Sequence, residues 1–102
     1  MGIVIVMEAI FDMKTIHIIV YGHVQGVGFR YFAQTSALSE KVTGWVKNKE
    51  DGTVEAVAQG TENQLESFVD TLRSGNRYAR VEEIKVREAD QNQAYADFKI
   101  IR

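Results

Sequence analysis

The chain has neither cysteine nor proline among its 102 residues. Without cysteine there is no disulfide scaffold, no thiolate zinc site and no phosphatase chemistry through a sulfur nucleophile, and the redox compartment leaves no trace in the composition. Without proline, no loop gains the rigidity of a fixed φ. A basic surplus is also missing: 12 Lys and Arg face 14 Asp and Glu, for a net charge of −2. Phosphate-backbone affinity rests on clustered cations, and the basic residues here are scattered, so a nucleic-acid partner is not expected. Nor is there a run of the roughly 20 apolar residues that a membrane span needs. The stretch Ile3–Met7 is apolar, but Glu8 and Asp12 interrupt it and no basic segment precedes it, unlike a signal peptide. Val6 likewise spoils the myristoylation pattern that Gly2 would begin. A cytoplasmic protein with no membrane contact is expected. Met13, followed by Lys14-Thr15-Ile16, resembles a second start, so residues 1–12 are expected to be a dispensable N-terminal extension and residues 13–102 the functional domain.

What is present fits one globular domain with one core, at 45% apolar and 25% charged residues. Thr15–Tyr21 is β-branched and aromatic and reads as a strand. Three glycines in Gly22–Gly28 make a loop, and Phe29 to Lys41 lacks glycine and reads as a helix with Phe29, Phe32, Ala33 and Ala37 on its inner face. Val42–Lys47 and Thr53–Gln59 form an antiparallel hairpin around Asp51-Gly52. Thr61 and Gln64 suit a capping box for a second helix, which carries Leu65, Phe68, Val69 and Leu72 at helical spacing and stops at Gly75. Val81–Arg87 alternates apolar with charged residues as a half-wet strand, and a last strand, Tyr95–Ile101, places Ala96, Phe98 and Ile100 on one side. The order is βαββαβ with an extra C-terminal strand. It predicts an α+β, ferredoxin-like sandwich: an antiparallel sheet with two helices on one face. That fold hosts many activities, so function must come from a site.

The informative segment is Val20-Tyr21-Gly22-His23-Val24-Gln25-Gly26-Val27-Gly28-Phe29-Arg30. A glycine-rich loop between a strand and a helix start can aim freed backbone N–H groups, and the positive helix end, at an oxyanion such as phosphate. Arg30, in the first helical turn, can add bidentate, charge-assisted hydrogen bonds. The alternative, that the glycines only turn the chain and Arg30 is a solvated surface arginine, is about as economical for this segment alone. No Gly-Lys-Ser/Thr follows, so the loop is not a Walker A, and its glycine spacing differs from the dinucleotide fingerprint. Asn48 is the second candidate. A helix of about 11 residues climbs ~16 Å and a strand of about six descends ~20 Å, returning Asn48 to the level of Arg30. Its carboxamide can hold a water in line with a bound phosphorus, although a hairpin-flanking asparagine can also simply satisfy its own turn.

Residues 20–30 resemble the first signature of the acylphosphatase family, and Gly44-Trp45-Val46-Lys47-Asn48-Lys49-Glu50-Asp51-Gly52-Thr53-Val54 resembles the second. The resemblance runs from about Thr15 through Asp97-Phe98-Lys99-Ile100-Ile101. It implies that Arg30 binds phosphate as a catalytic residue, that Asn48 orients the water, and that Gly22, His23, Val24, Gln25, Gly26, Val27 and Gly28 form the phosphate loop. It further implies hydrolysis of carboxyl-phosphate mixed anhydrides to carboxylate and inorganic phosphate, without metal or cofactor, by a monomer whose partners are the acyl phosphate and inorganic phosphate. Two features depart from the family pattern. The loop Gly75–Arg80 lacks the frequent proline, and Lys49 stands where a small hydroxyl residue is common.

A carboxylate leaves easily at neutral pH, so no strong general acid is required. His23 is accordingly expected to be a solvated loop side chain and His17 a packed strand residue, with no metal-ligand spacing between them. Phe29, Tyr31, Phe32 and Trp45 are expected to pack in the core or on the sheet, and Arg73, Arg77 and Arg80 to form a solvated rim. Two rivals remain. Gly-Val-Gly-Phe-Arg-Tyr-Phe superficially resembles an RNA-recognition motif, but it crosses from a loop into a helix instead of lying on a central strand. Acylphosphatase-like domains also occur inside larger carbamoyl-transfer proteins.

Overall fold

The computed structural model describes residues 12–90 and 92–102. Ile3–Met7 and the remainder of the extension through Phe11 lie outside the described residues. The elements are β1 (Met13–His23), α1 (Phe29–Glu40), β2 (Thr43–Asn48), β3 (Val54–Thr61), α2 (Glu62–Ser74), β4 (Arg80–Glu88) and β5 (Phe98–Ile100). The sheet runs in the order β4-β1-β3-β2-β5. Its first four strands pair antiparallel, which with the two helices is the ferredoxin-like arrangement expected.

Strand alternation decides what each side chain meets. Ile18 and Val20 on β1 are fully buried, beside Ala56 and Val54 of β3. The intervening His17, Ile19 and Tyr21 are half-buried on the opposite side. Helix α1 buries Phe29, Ala33 and Ala37, one turn apart, together with Ser36. The Ser36 hydroxyl is satisfied by the Phe32 carbonyl at 2.8 Å. Helix α2 opens with the expected capping box: Gln64 N–H donates to Thr61 Oγ1 at 3.3 Å, and Thr61 N–H donates to Gln64 Oε1 at 2.9 Å. Its Phe68 meets Phe98 of β5 edge to face, ring centres 5.6 Å apart.

The C-terminal strand departs from a purely antiparallel sheet. β5 lies parallel to β2, from Gly44 beside Phe98 to Val46 beside Ile100, and is shorter than the sequence suggests. From β4, at one edge, the chain crosses the sheet and pairs with β2 on the other side. The crossing is held by buried Gln59, whose Nε2 donates to the Gln93 carbonyl and to Thr15 Oγ1, both at 2.9 Å, and whose Oε1 accepts from Tyr95 N–H at 3.2 Å. Gln93 and Tyr95 therefore satisfy a glutamine and not a strand, and Asp97 is the residue that first meets β2, its carbonyl accepting from Gly44 N–H at 2.9 Å. Val86 also departs from its expected inward place. It is 46% exposed because β4 is an edge strand that α2 only partly covers.

On the helix-free side, His17 Nε2 lies 2.6 Å from Glu55 Oε2, and Lys47 Nζ is 3.7 Å from Glu55 Oε1. The His17 hydrogen bond, opposed by burial and aided by the charges of His17, Lys47 and Lys49, holds the Glu55 carboxyl below its ordinary value of 4.5. A depressed carboxyl pKa stabilises the fold above the unfolded value, and that stability is lost as pH falls through the folded value. Urea midpoints of the native protein should therefore fall more steeply below about pH 4.5 than those of Glu55→Gln; parallel acid limbs would remove this role from Glu55.

Candidate active site

The loop between β1 and α1 is held in an unusual backbone state by its glycines. Gly26 and Gly28 adopt φ of 75° and 76°, where a side chain is disfavoured. Such turns present successive N–H groups to one concave side. Gly28 also caps α1, with no side chain among the described residues making a cap hydrogen bond to the helix's first N–H groups. Among the described residues, no backbone hydrogen bond takes its donor from residues 24–28. Unbonded donors thus lie in the segment that leads into the positive end of a 12-residue helix.

Arg30 is half-buried in the first turn of α1, and Asn48 ends β2 opposite Val54. The two line one cavity of about 200 Å³ together with Val24, Gly26 and Gly28. Asn48 Oδ1 is buried without a hydrogen-bond partner among the described residues. An unpaired buried acceptor costs roughly 1–3 kcal/mol, which is tolerable where an incoming water or ligand supplies the missing donor.

Two side chains outside that cavity wall brace it. Gln25 Nε2 donates to the carbonyls of Lys49, at 2.7 Å, and Thr53, at 2.8 Å, tying the glycine loop to the hairpin that carries Asn48. That hairpin is itself closed by Lys49 N–H donating to the Thr53 carbonyl at 2.9 Å. Asp51 accepts from Thr53 Oγ1 at 2.6 Å and Thr53 N–H at 3.0 Å. These bonds, the hydroxyl's first, hold the Asp51 carboxyl below its ordinary range. On the other side of the loop, Asn76 Nδ2 donates to the Val27 carbonyl at 2.7 Å.

Gly22 and His23 stand apart. They extend β1 and pair with Val81 and Arg80 of β4, and neither lines the cavity. His23 is exposed. Gly22 answers a packing demand, since a Cβ on it would lie 2.1 Å from the Arg80 carbonyl oxygen. Tyr31 and Ile100, by contrast, line the cavity mouth. Tyr31 is 61% exposed and so is not a core residue. The helical period contains that information, because a helix burying Phe29 and Ala33 turns residues 30 and 31 outward. Among the described residues, no three His, Asp or Glu side chains gather as a metal site would require.

Comparison with known proteins shows what this architecture is similar to. The acylphosphatase family profile matches residues 16–100. The chain belongs to the acylphosphatase family. An acylphosphatase of Geobacillus thermodenitrificans is 47% identical over 89 residues, covering 87% of this chain and 95% of the relative. The crystal structure of acylphosphatase from Bacillus subtilis superimposes with a TM-score of 0.84 at 44% identity, covering 88% of this chain and 99% of the other. An acylphosphatase structure from Coxiella burnetii gives 0.86 at 33% identity, covering 92% and 98%. As an acylphosphatase, the chain is a hydrolase acting on acyl phosphates.

The acylphosphatase loop thus has glycines of two kinds, and substitution separates them. Gly22→Ala forces a side chain into the β4 backbone and should destabilise the fold by more than about 2 kcal/mol. Gly26→Ala meets no atom within 4 Å and should cost only the left-handed strain of about 1 kcal/mol. Urea denaturation of both variants measures the difference, and equal losses would contradict this division.

Proposed function

We propose that the cavity binds the phosphoryl group of a carboxyl-phosphate anhydride and that water attacks phosphorus in line, without a metal or other cofactor. The supporting observation is that Arg30, Asn48 and the loop residues Val24, Gly26 and Gly28 line one cavity, and that Asn48 Oδ1 has no hydrogen-bond partner among the described residues. Arg30 and the N–H groups of the Val24–Gly28 loop hold the equatorial phosphoryl oxygens and neutralise the charge gathering on them. Asn48 Oδ1 accepts one hydrogen of the water and leaves an oxygen lone pair facing phosphorus. The water oxygen–phosphorus bond forms as the bond to the acyl oxygen breaks. The carboxylate departs with the electron pair, and the water's proton passes to the phosphate product or to solvent. Arg30 and Asn48 are the catalytic residues in this reading. His23 has no part in the proton transfer.

The acyl group of such a substrate extends to the cavity mouth, where Tyr31 and Ile100 provide apolar surface. We further read the protein as a cytoplasmic monomer with residues 13–102 as its hydrolase unit. The family match beginning at residue 16 is in keeping with that boundary. No helix among the described residues is long and apolar enough to cross a membrane.

Arg30→Ala and Asn48→Ala should each lower turnover of benzoyl phosphate at least a hundredfold while remaining folded, because each removes about 3 kcal/mol or more of preorganised stabilisation. Arg30→Lys should fail as well, since a point charge does not reproduce the fork. Near-wild-type rates would refute the assignment. In ¹⁸O-labelled water the label should appear in inorganic phosphate. Label in the carboxylate would mean attack at carbon. Tyr31→Ala should raise KM for benzoyl phosphate several-fold and leave that for acetyl phosphate within about twofold; an equal rise for both would deny Tyr31 contact with the acyl group.

A further inference from the structure

Asn76 lies in the loop after α2, 49 positions from the residue it binds, and takes no part in the chemistry described above. Its Nδ2 donates to the Val27 carbonyl at 2.7 Å, while its Oδ1 is buried with no partner among the described residues. A buried carboxamide with one unpaired end is poor packing material, because an apolar side chain of similar size would fill the same space without an orphan acceptor. The retained donor is therefore the informative end. It acts on one peptide plane. The Val27 carbonyl and the Gly28 N–H belong to the same planar trans unit and point in opposite directions. A bond that pins the carbonyl toward Asn76 fixes the N–H on the other side, and Gly28 lines the cavity shared by Arg30 and Asn48.

The anchor is itself well held. Gly75 ends α2 with its N–H donating to the Leu72 carbonyl at 3.1 Å, and Ala79 N–H donates to the Asn76 carbonyl at 3.2 Å. With no proline in the chain, these backbone bonds restrain the loop in place of a fixed φ. The Asn76 amide also sits against Gly28 directly, 3.7 Å from where a Cβ on that glycine would lie. Gln25 secures the same loop from the opposite side.

We propose that Asn76 is a positioning residue of the phosphate loop: through the Val27 carbonyl it aims the Gly28 N–H at the bound phosphoryl group. The proposal rests on the reading of residues 24–28 as an anion cradle. It assigns a site-forming role to the α2–β4 loop, which touches neither water nor phosphorus.

Asn76→Leu is the deciding variant, because it keeps the side-chain volume, removes the donor and eliminates the orphan oxygen. Asn76→Ala serves as a second. Inorganic phosphate binding is measured by calorimetry and by inhibition of benzoyl phosphate hydrolysis, beside the thermal midpoint. Both variants should weaken phosphate binding about tenfold and lower kcat. Asn76→Leu should do so with a thermal midpoint at or above that of the native protein. Native phosphate affinity and kcat in a folded Asn76→Leu variant would overturn the role of Asn76 and leave the hydrolase reading standing. Absence of phosphate binding by the native protein would overturn both.

Discussion

The site depends on hydrogen-bonding groups that the fold keeps from pairing with one another. The N–H groups of the glycine loop, the uncapped start of α1 and the Asn48 carboxamide oxygen have no partner among the described residues, and Gly26, Gly28, Arg30 and Asn48 line one small cavity. Gln25 ties the loop to the hairpin and Asn76 ties it to the α2–β4 loop, each through a side-chain amide donating to backbone carbonyls. In the reading proposed above, catalytic groups need no strongly shifted pKa. The protein supplies fixed dipoles and one cation, already oriented before the substrate arrives.

The sheet brings these groups together. β1 delivers the loop at one end of the molecule, and β2, carrying Asn48, comes back to the same end. The distance between them is set by β3, which pairs with both. β5 adds Ile100 to the cavity mouth only because it lies on the free edge of β2. Its placement in turn relies on buried Gln59, which captures the crossing chain. One polar residue in the sheet thus helps decide which side chain of β5 lines the cavity.

Features set by neighbouring residues were legible in the sequence, and those set by distant partners were not. Thr61 and Gln64 announce a capping box because both halves lie within one turn. Asp51-Gly52 announces a hairpin, and the order of elements follows from periodicity alone. The placement of β5 could not be read, because β4 and β2 both leave an edge open and the crossing segment is held by Gln59 of a distant strand. Clustered glycines looked alike in sequence, yet Gly22 yields to the close approach of β4 while Gly26 and Gly28 turn the loop. The residue type of Tyr31 suggests packing in the core or on the sheet, whereas the helical period places it outward, where it is exposed. Asn76 offered no signal, since its partner Val27 lies in a segment that only the tertiary fold brings near.

The most direct measurement is a titration of the native protein with inorganic phosphate, followed by nuclear magnetic resonance. Signals to follow are the Arg30 guanidinium, the Asn48 carboxamide and the backbone amides of residues 24–28. All three sets are expected to shift and to saturate along one curve with one dissociation constant, as groups gripping a single anion must. Loop amides that stay still while Arg30 shifts, or sets that saturate at different concentrations, would show that these groups do not share a site.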